Sequence, residues 1–94
     1  MTIDFRIRAA EVLRIEAAAV AQLQQYLDAD FNLACQMLFD SKGKTIVSGM
    51  GKSGHIGSKI AATLASTGTP ACFVHPGEAS HGDLGMLSTD DVLI

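Results

Sequence analysis

The strongest constraint on the fold is a glycine-rich loop between a short apolar run and an alanine-rich segment. The loop, GMGKSGHIG at 49–57, follows the run TIV and precedes SKIAATLAST. The run is β-branched and too short for a helix, so it predicts a buried strand at 45–49. Apolar residues then recur every four positions, which predicts a helix over 53–67. A strand, a glycine turn and a helix in this order favour an α/β fold.

The residues before this strand–turn–helix segment predict two helices. Apolar residues at spacings of three and four predict an amphipathic helix over 6–27. Asp30 is a suitable N-cap for a second helix at 31–40. Gly43 follows that helix, where we expect it to adopt the left-handed conformation.

The residues after the strand–turn–helix segment predict two more strands. Gly68 is expected to end the central helix in the left-handed conformation. The apolar run ACFV then predicts a strand at 71–74, the polar stretch HPGEASHGDLGMLSTD predicts a loop, and DVLI predicts a strand at 91–94. Parallel strands with right-handed crossovers give a three-layer α/β sandwich.

Composition narrows the class of protein. The chain has 94 residues and a formal net charge of −3, which gives no reason to expect nucleic acid or a membrane surface as a partner. Its N-terminus carries charges throughout, unlike a signal peptide, so we expect a cytoplasmic protein. Cys35 and Cys72 are expected to be buried free thiols rather than a disulfide.

Two nucleotide-binding motifs fit the glycine loop poorly. Gly49, Gly51 and Gly54 match the dinucleotide pattern G-x-G-x-x-G. That fold needs an acidic residue at the end of the second strand, where this chain has His75. A P-loop would need a glycine where Ile46 stands. A nucleotide-binding enzyme is therefore a weak alternative.

The loop nevertheless suits a small anion. Glycines such as Gly51 let the backbone approach a ligand, and the helix N-terminus offers free N–H groups. Lys52 adds a cation and Ser53 a hydroxyl donor, while His55 is interpreted as a supporting residue. The competing interpretation is a tight strand-to-helix turn with a solvated lysine.

A second loop is expected to meet the first at one edge of the sheet. Loops that leave the carboxyl ends of parallel strands share that edge. The crevice would gather Lys52 with the ionisable side chains of the second loop, which suit proton transfer. Those side chains are His75, Glu78, His81 and Asp83.

Three motifs carry a family resemblance. GMGKSGHIG, ATLASTGTP and FVHPGEASHGDLGM resemble the sugar isomerase (SIS) domain of bacterial arabinose-5-phosphate isomerases. The resemblance implies a flavodoxin-like fold and interconversion of D-ribulose 5-phosphate and D-arabinose 5-phosphate. That reaction supplies Kdo for lipopolysaccharide or capsule. Three strands cannot cover the apolar stripe of the helix at 6–27, so we expect this stripe to be a subunit contact in the full-length protein, a homo-oligomer (tetramer).

The resemblance assigns roles to single residues as well. Lys52 and His81 are implied in catalysis, which moves a proton between C1 and C2 through an enediolate. No cofactor is implied, and zinc bound at His75 is implied as an inhibitor. The residues implied to contact the substrate are Gly68, Thr69 and His81, and we expect Gly51 and Ser53 of the anion-binding loop to contact it as well.

The chain ends within the third predicted strand. We therefore expect N-terminal helices at 1–42 and the first half of a SIS domain at 43–94, without its C-terminal half or CBS modules. Such a fragment is expected to be inactive alone. A sugar-phosphate-sensing SIS module of a regulator is the alternative, although no basic recognition helix is evident.

Overall fold

The computed structural model describes residues 2–94 and divides into two compact units, one ending at Ala34 and one from Cys35 to Ile94. The helices are α1 (Phe5–Gln22), α2 (Ala29–Asp40), α3 (Gly51–Ser66) and α4 (Pro76–Ala79), with 3₁₀ turns at Leu23–Tyr26 and Asp83–Met86. The strands are β1 (Thr45–Val47), β2 (Ala71–Phe73) and β3 (Val92–Leu93).

The first unit is built on α1. Asp4 caps this helix because its carboxylate accepts the Arg6 N–H at 3.0 Å. The predicted helix at 6–27 is confirmed over most of its length, but its last turn is a 3₁₀ helix. None of the residues of α1 is buried.

The helix α2 begins earlier than predicted. The Asp28 carboxylate accepts the Phe31 N–H at 3.0 Å, so Asp28 is the capping residue. The prediction of Asp30 as the N-cap is wrong, because Asp30 already lies inside the first turn. The predicted burial of Cys35 is also wrong, since α2 has no buried residue; Cys72 is half-buried.

The sheet confirms the α/β prediction. Its strand order is β2-β1-β3, and both pairings are parallel. Ile46 of the central strand lies opposite Cys72 on one side and Leu93 on the other. All three residues of β1 are buried, so this strand forms the centre of the second unit's core.

Two glycine predictions have different outcomes. Gly68 has a φ of 102°, which confirms the left-handed end of α3. Gly43 is not among the positive-φ residues, so that prediction is wrong. A Cβ on Gly43 would collide with Asp90 and Asp91, so this glycine is needed for space.

The two faces of the sheet are covered by different elements. The helix α3 packs on one face, where a Cβ on Gly57 would lie 3.1 Å from Val47. The segment from α4 to Met86 lies on the other face, above a cavity of about 280 Å³ that Ile46 and Leu84 help to line. The sequence predicts a loop for this segment, but it forms two short helical turns.

Candidate functional site

The connections of the strands place a cleft at the carboxyl edge between β1 and β3. The chain leaves β1 through α3 to reach β2, and it then returns past β1 to form β3 on the other side. Ligands of open α/β sheets bind where neighbouring connections diverge in this way. The cleft measures about 370 Å³; Ser48, Lys52 and Ser53 line its polar end, and the rest of its lining is mostly apolar (Val47, Ile56, Ile60 and Ile94).

The N-terminus of α3 at this edge has no side-chain cap. Its N-cap residue is Met50, whose side chain makes no capping hydrogen bond. Gly51 adopts a φ of 60°, which lets the chain turn sharply from the strand into the helix. The backbone N–H groups of the first turn, the helix dipole and the Lys52 ammonium therefore favour an anion here.

Ser48 joins the carboxyl ends of all three strands and was not singled out by the sequence. Its hydroxyl donates to the Val74 carbonyl at 2.7 Å, and its N–H donates to the Ile94 carbonyl at 2.9 Å. The signal that could have found it is a small hydroxyl residue directly after a buried strand. Because Ser48 also lines the cleft, it fixes the floor of the candidate site.

His75 is held by a backbone hydrogen bond. Its Nδ1 accepts the Gly77 N–H at 2.9 Å and so caps α4. A neutral imidazole that accepts at Nδ1 carries its proton on Nε2. His75 lines a second cleft, of about 310 Å³, together with Gly51, His55 and Phe73.

The described residues do not make a complete zinc site. Among residues 2–94, no group of three or more histidine, cysteine or acidic side chains could hold a metal ion. Zinc sites commonly use three or four protein ligands. His75 offers one imidazole, and its free lone pair is used by the Gly77 N–H. This one imidazole would need further ligands to hold zinc firmly.

The second loop brings its ionisable side chains only partly towards Lys52. Lys52 and His75 both follow strands at the carboxyl edge, but they line different clefts. Glu78, His81 and Asp83 are exposed on the helical turns that follow β2. The single crevice expected from the sequence is therefore divided by the N-terminal end of α3.

Gly68 and Thr69 lie at the opposite edge of the sheet. They precede β2 and line a cleft of about 260 Å³ with Gly43 and Thr45, at the amino ends of the strands. This chain alone does not bring them to Lys52. Their contact with substrate stays a prediction.

Comparison with known proteins identifies the family. The model of the SIS domain family matches residues 37–94. The chain belongs to the SIS-domain family. The match includes the whole sheet, both clefts at the carboxyl edge and the segment that carries His81.

Curated relatives of this SIS-domain chain are named as isomerases. It is 60% identical over 92 residues to the arabinose 5-phosphate isomerase KdsD of Yersinia pestis, and 60% identical over 91 residues to that of Escherichia coli strain K12. These alignments cover 98% and 97% of this chain. A solved structure of an E. coli CFT073 protein, in complex with arabinose 5-phosphate, superposes with a TM-score of 0.85 at 41% identity over 99% of this chain.

The chain spans only part of these proteins. It covers 28% of the length of both curated relatives and 50% of the solved chain. Among residues 2–94, no helix has the length and apolar character needed to cross a membrane.

Proposed function

We propose that the complete protein is an aldose–ketose isomerase that interconverts D-arabinose 5-phosphate and D-ribulose 5-phosphate. The observation that carries this proposal is the cleft where Lys52 and Ser53 meet the uncapped N-terminus of α3. Support also comes from the two curated relatives named as arabinose 5-phosphate isomerases and from the related structure in complex with arabinose 5-phosphate.

The chemistry of the cleft suits an enediolate intermediate. In the aldose-to-ketose direction, a base removes the proton on C2, and the electron pair moves to form an enediolate with negative charge on O1. A proton is then delivered to C1, while the proton of the C2 hydroxyl passes to O1 and a carbonyl forms at C2. The Lys52 ammonium stabilises the developing charge on oxygen. His81 carries protons between these positions as a general acid and base.

Substrate binding is assigned to the residues around this cation. The N–H groups at Gly51 and the hydroxyl of Ser53 hold an anionic group of the sugar phosphate. His81 is a further proposed contact, as are Gly68 and Thr69, which this chain alone does not bring to Lys52. We place the reaction in the cytoplasm, where it supplies the Kdo pathway, and we propose that zinc at His75 inhibits it.

The proposed assembly is a homo-oligomer, a tetramer, in which a second copy covers the apolar side chains of α1. Support comes from the exposure of these side chains: Val12 is 48% exposed and Ile15 is 58% exposed. Exposed apolar side chains that lie together on one helix favour burial by association with another copy.

The experiment is an isomerase assay of the complete gene product. D-ribulose 5-phosphate is supplied, and the appearance of D-arabinose 5-phosphate is followed by ¹³C nuclear magnetic resonance. We expect turnover to an equilibrium mixture of the two sugars. Binding without turnover would contradict the proposal and favour a sugar-phosphate-sensing module.

A further inference from the structure

The segment between β2 and β3 is anchored to β1 at its beginning. Val74 donates its N–H to the Val47 carbonyl at 2.9 Å, and its own carbonyl accepts the Ser48 hydroxyl at 2.7 Å. His75 then starts α4 through its bond to the Gly77 N–H. The start of this segment is therefore fixed to the carboxyl end of β1.

The far end of the segment is anchored by Lys44, directly before β1. The Lys44 ammonium donates to the Met86 carbonyl at 2.8 Å and to Asp91 Oδ2 at 2.9 Å. The Lys44 N–H donates to Asp91 Oδ1, and the Ser88 N–H donates to Asp91 Oδ2, both at 2.8 Å. Lys44 thus joins the end of the 3₁₀ turn to the start of β3.

His81 lies between these two anchors without a side-chain partner of its own. No hydrogen bond to its imidazole is found within residues 2–94, and the residue is exposed. Its backbone is held by local turns: the His81 N–H donates to the Glu78 carbonyl at 3.0 Å, and the Gly85 N–H donates to the Gly82 carbonyl at 3.0 Å. Gly82 has a φ of 124°, so the chain reverses directly after the histidine.

We propose that Lys44 is a positioning residue for the isomerase reaction, and that its bond to the Met86 carbonyl sets where His81 stands. The proposal rests on the proposed function, in which His81 transfers protons. Since the imidazole has no partner among the described residues, its position follows from the backbone between the two anchors. Lys44 can serve as a fixed reference because its N–H is bonded to Asp91 and the next residue, Thr45, is 1% exposed.

The kinetic test compares Lys44→Met with Lys42→Met in the complete gene product. Lys42 is an exposed neighbour, and no hydrogen bond to its side chain is found within the described residues. We expect Lys44→Met to lower kcat about tenfold with KM changed less than about threefold, because small misplacements of reacting groups reduce rates strongly. Lys42→Met should match the wild type. Lys44→Arg, which keeps a cation and donors, should restore most of kcat.

A double-mutant cycle separates positioning from general stability. In a His81→Asn background, adding Lys44→Met should lower kcat less than about twofold. An equal loss in both backgrounds, or no loss in the wild-type background, would overturn the proposal. If the Lys44→Met protein does not fold, the double variant Lys44→Met/Asp91→Asn takes its place in the cycle, because it removes both charges together.

Hydrogen–deuterium exchange gives a readout that does not depend on turnover. We expect amides of residues 79–87 to exchange at least several-fold faster in the Lys44→Met protein than in the Lys42→Met protein. Unchanged exchange in this segment would overturn the proposal even if activity fell. If the wild-type protein shows no isomerase activity, the proposed function fails, and the exchange comparison still decides whether Lys44 holds the His81 segment.

Discussion

The Lys44 ammonium lies 2.9 Å from the Asp91 carboxylate, whose side chain is only 4% exposed. The carboxylate also accepts the backbone N–H groups of Ser88 and Lys44. These bonds, led by that from Ser88, hold the pKa of Asp91 well below its usual range. The pair therefore stabilises the junction of β1 and β3 through an ionised carboxylate.

This relationship gives the folded protein a dependence on acid. Because the pKa of Asp91 is lower in the folded state, its stabilisation is fully present above the ordinary carboxyl pKa of about 4 and is lost as the pH falls below it. We expect Asp91→Asn to lower the Tm of the complete gene product at pH 7 and to flatten the fall in Tm between about pH 5 and pH 2. Asp90→Asn is the matched control, since Asp90 is exposed. A wild-type slope in Asp91→Asn would contradict the assignment.

Two glycines of α3 are expected to be intolerant of a methyl group. A Cβ on Gly54 would lie 2.6 Å from the Gly49 carbonyl oxygen, and one on Gly57 would lie 3.1 Å from Val47. We expect Gly54→Ala to lower the free energy of unfolding by about 1–3 kcal/mol, because a backbone atom cannot move away as a side chain can. Gly57→Ala should cost less, and Ser58→Ala on the exposed face should be near neutral. Urea denaturation measures all three, and a stabilised Gly54→Ala protein would refute the close contact.

The sequence predicted the local features of this fold well. The strand β1, the helix α3 and the left-handed Gly68 follow from residues within a few positions of each other. The Lys44–Asp91 pair was not foreseen because its members are 47 residues apart and meet only once the strand order is known. The turns of α4 were missed because four residues leave no helical periodicity.

The same distinction applies to the candidate site. Lys52 was placed at the carboxyl edge by the order of strand, glycine loop and helix, which is local information. The separation of the Lys52 and His75 clefts was not foreseen, because it depends on where the end of α3 lies relative to β2 and β3. Asp28, and not Asp30, caps α2 because the helix begins two residues earlier than the sequence predicted.

The proposed inhibition by zinc should be separable from the capping role of His75. Zinc at Nδ1 would displace the Gly77 N–H, and zinc at Nε2 would require a proton on Nδ1, so either mode opens the cap. We expect His75→Asn to keep the cap and activity while losing zinc inhibition, since an asparagine oxygen is a good N-cap acceptor. His75→Ala should lose both inhibition and part of kcat. Isomerase assays across a zinc titration check this, and unchanged inhibition of His75→Asn would exclude His75 as the ligand.

The exposed apolar side chains of α1 should control assembly. Ile15 is 58% exposed, and a glutamate there would place a charge inside a contact between copies. We expect Ile15→Glu to shift the complete gene product from a tetramer to smaller species at micromolar concentration in sedimentation velocity. Arg14→Glu changes the charge at the neighbouring position and should leave the tetramer intact. A monomeric wild-type protein would refute the proposed contact.

Lys52 provides the most direct test of the site. It follows the positive-φ Gly51 in the first turn of α3 and lines the cleft with Ser53 and Ile94. If it stabilises charge that develops only in the transition state, Lys52→Ala should lower kcat about a hundredfold, a loss of about 2.7 kcal/mol. If it only holds the phosphate, KM should rise while kcat stays nearly unchanged. His55→Ala, at an exposed position that lines the other cleft, should have a much smaller effect than either. Steady-state kinetics of the complete gene product distinguish these outcomes, and wild-type values for Lys52→Ala would mean that the lysine is solvated and takes no part in the reaction.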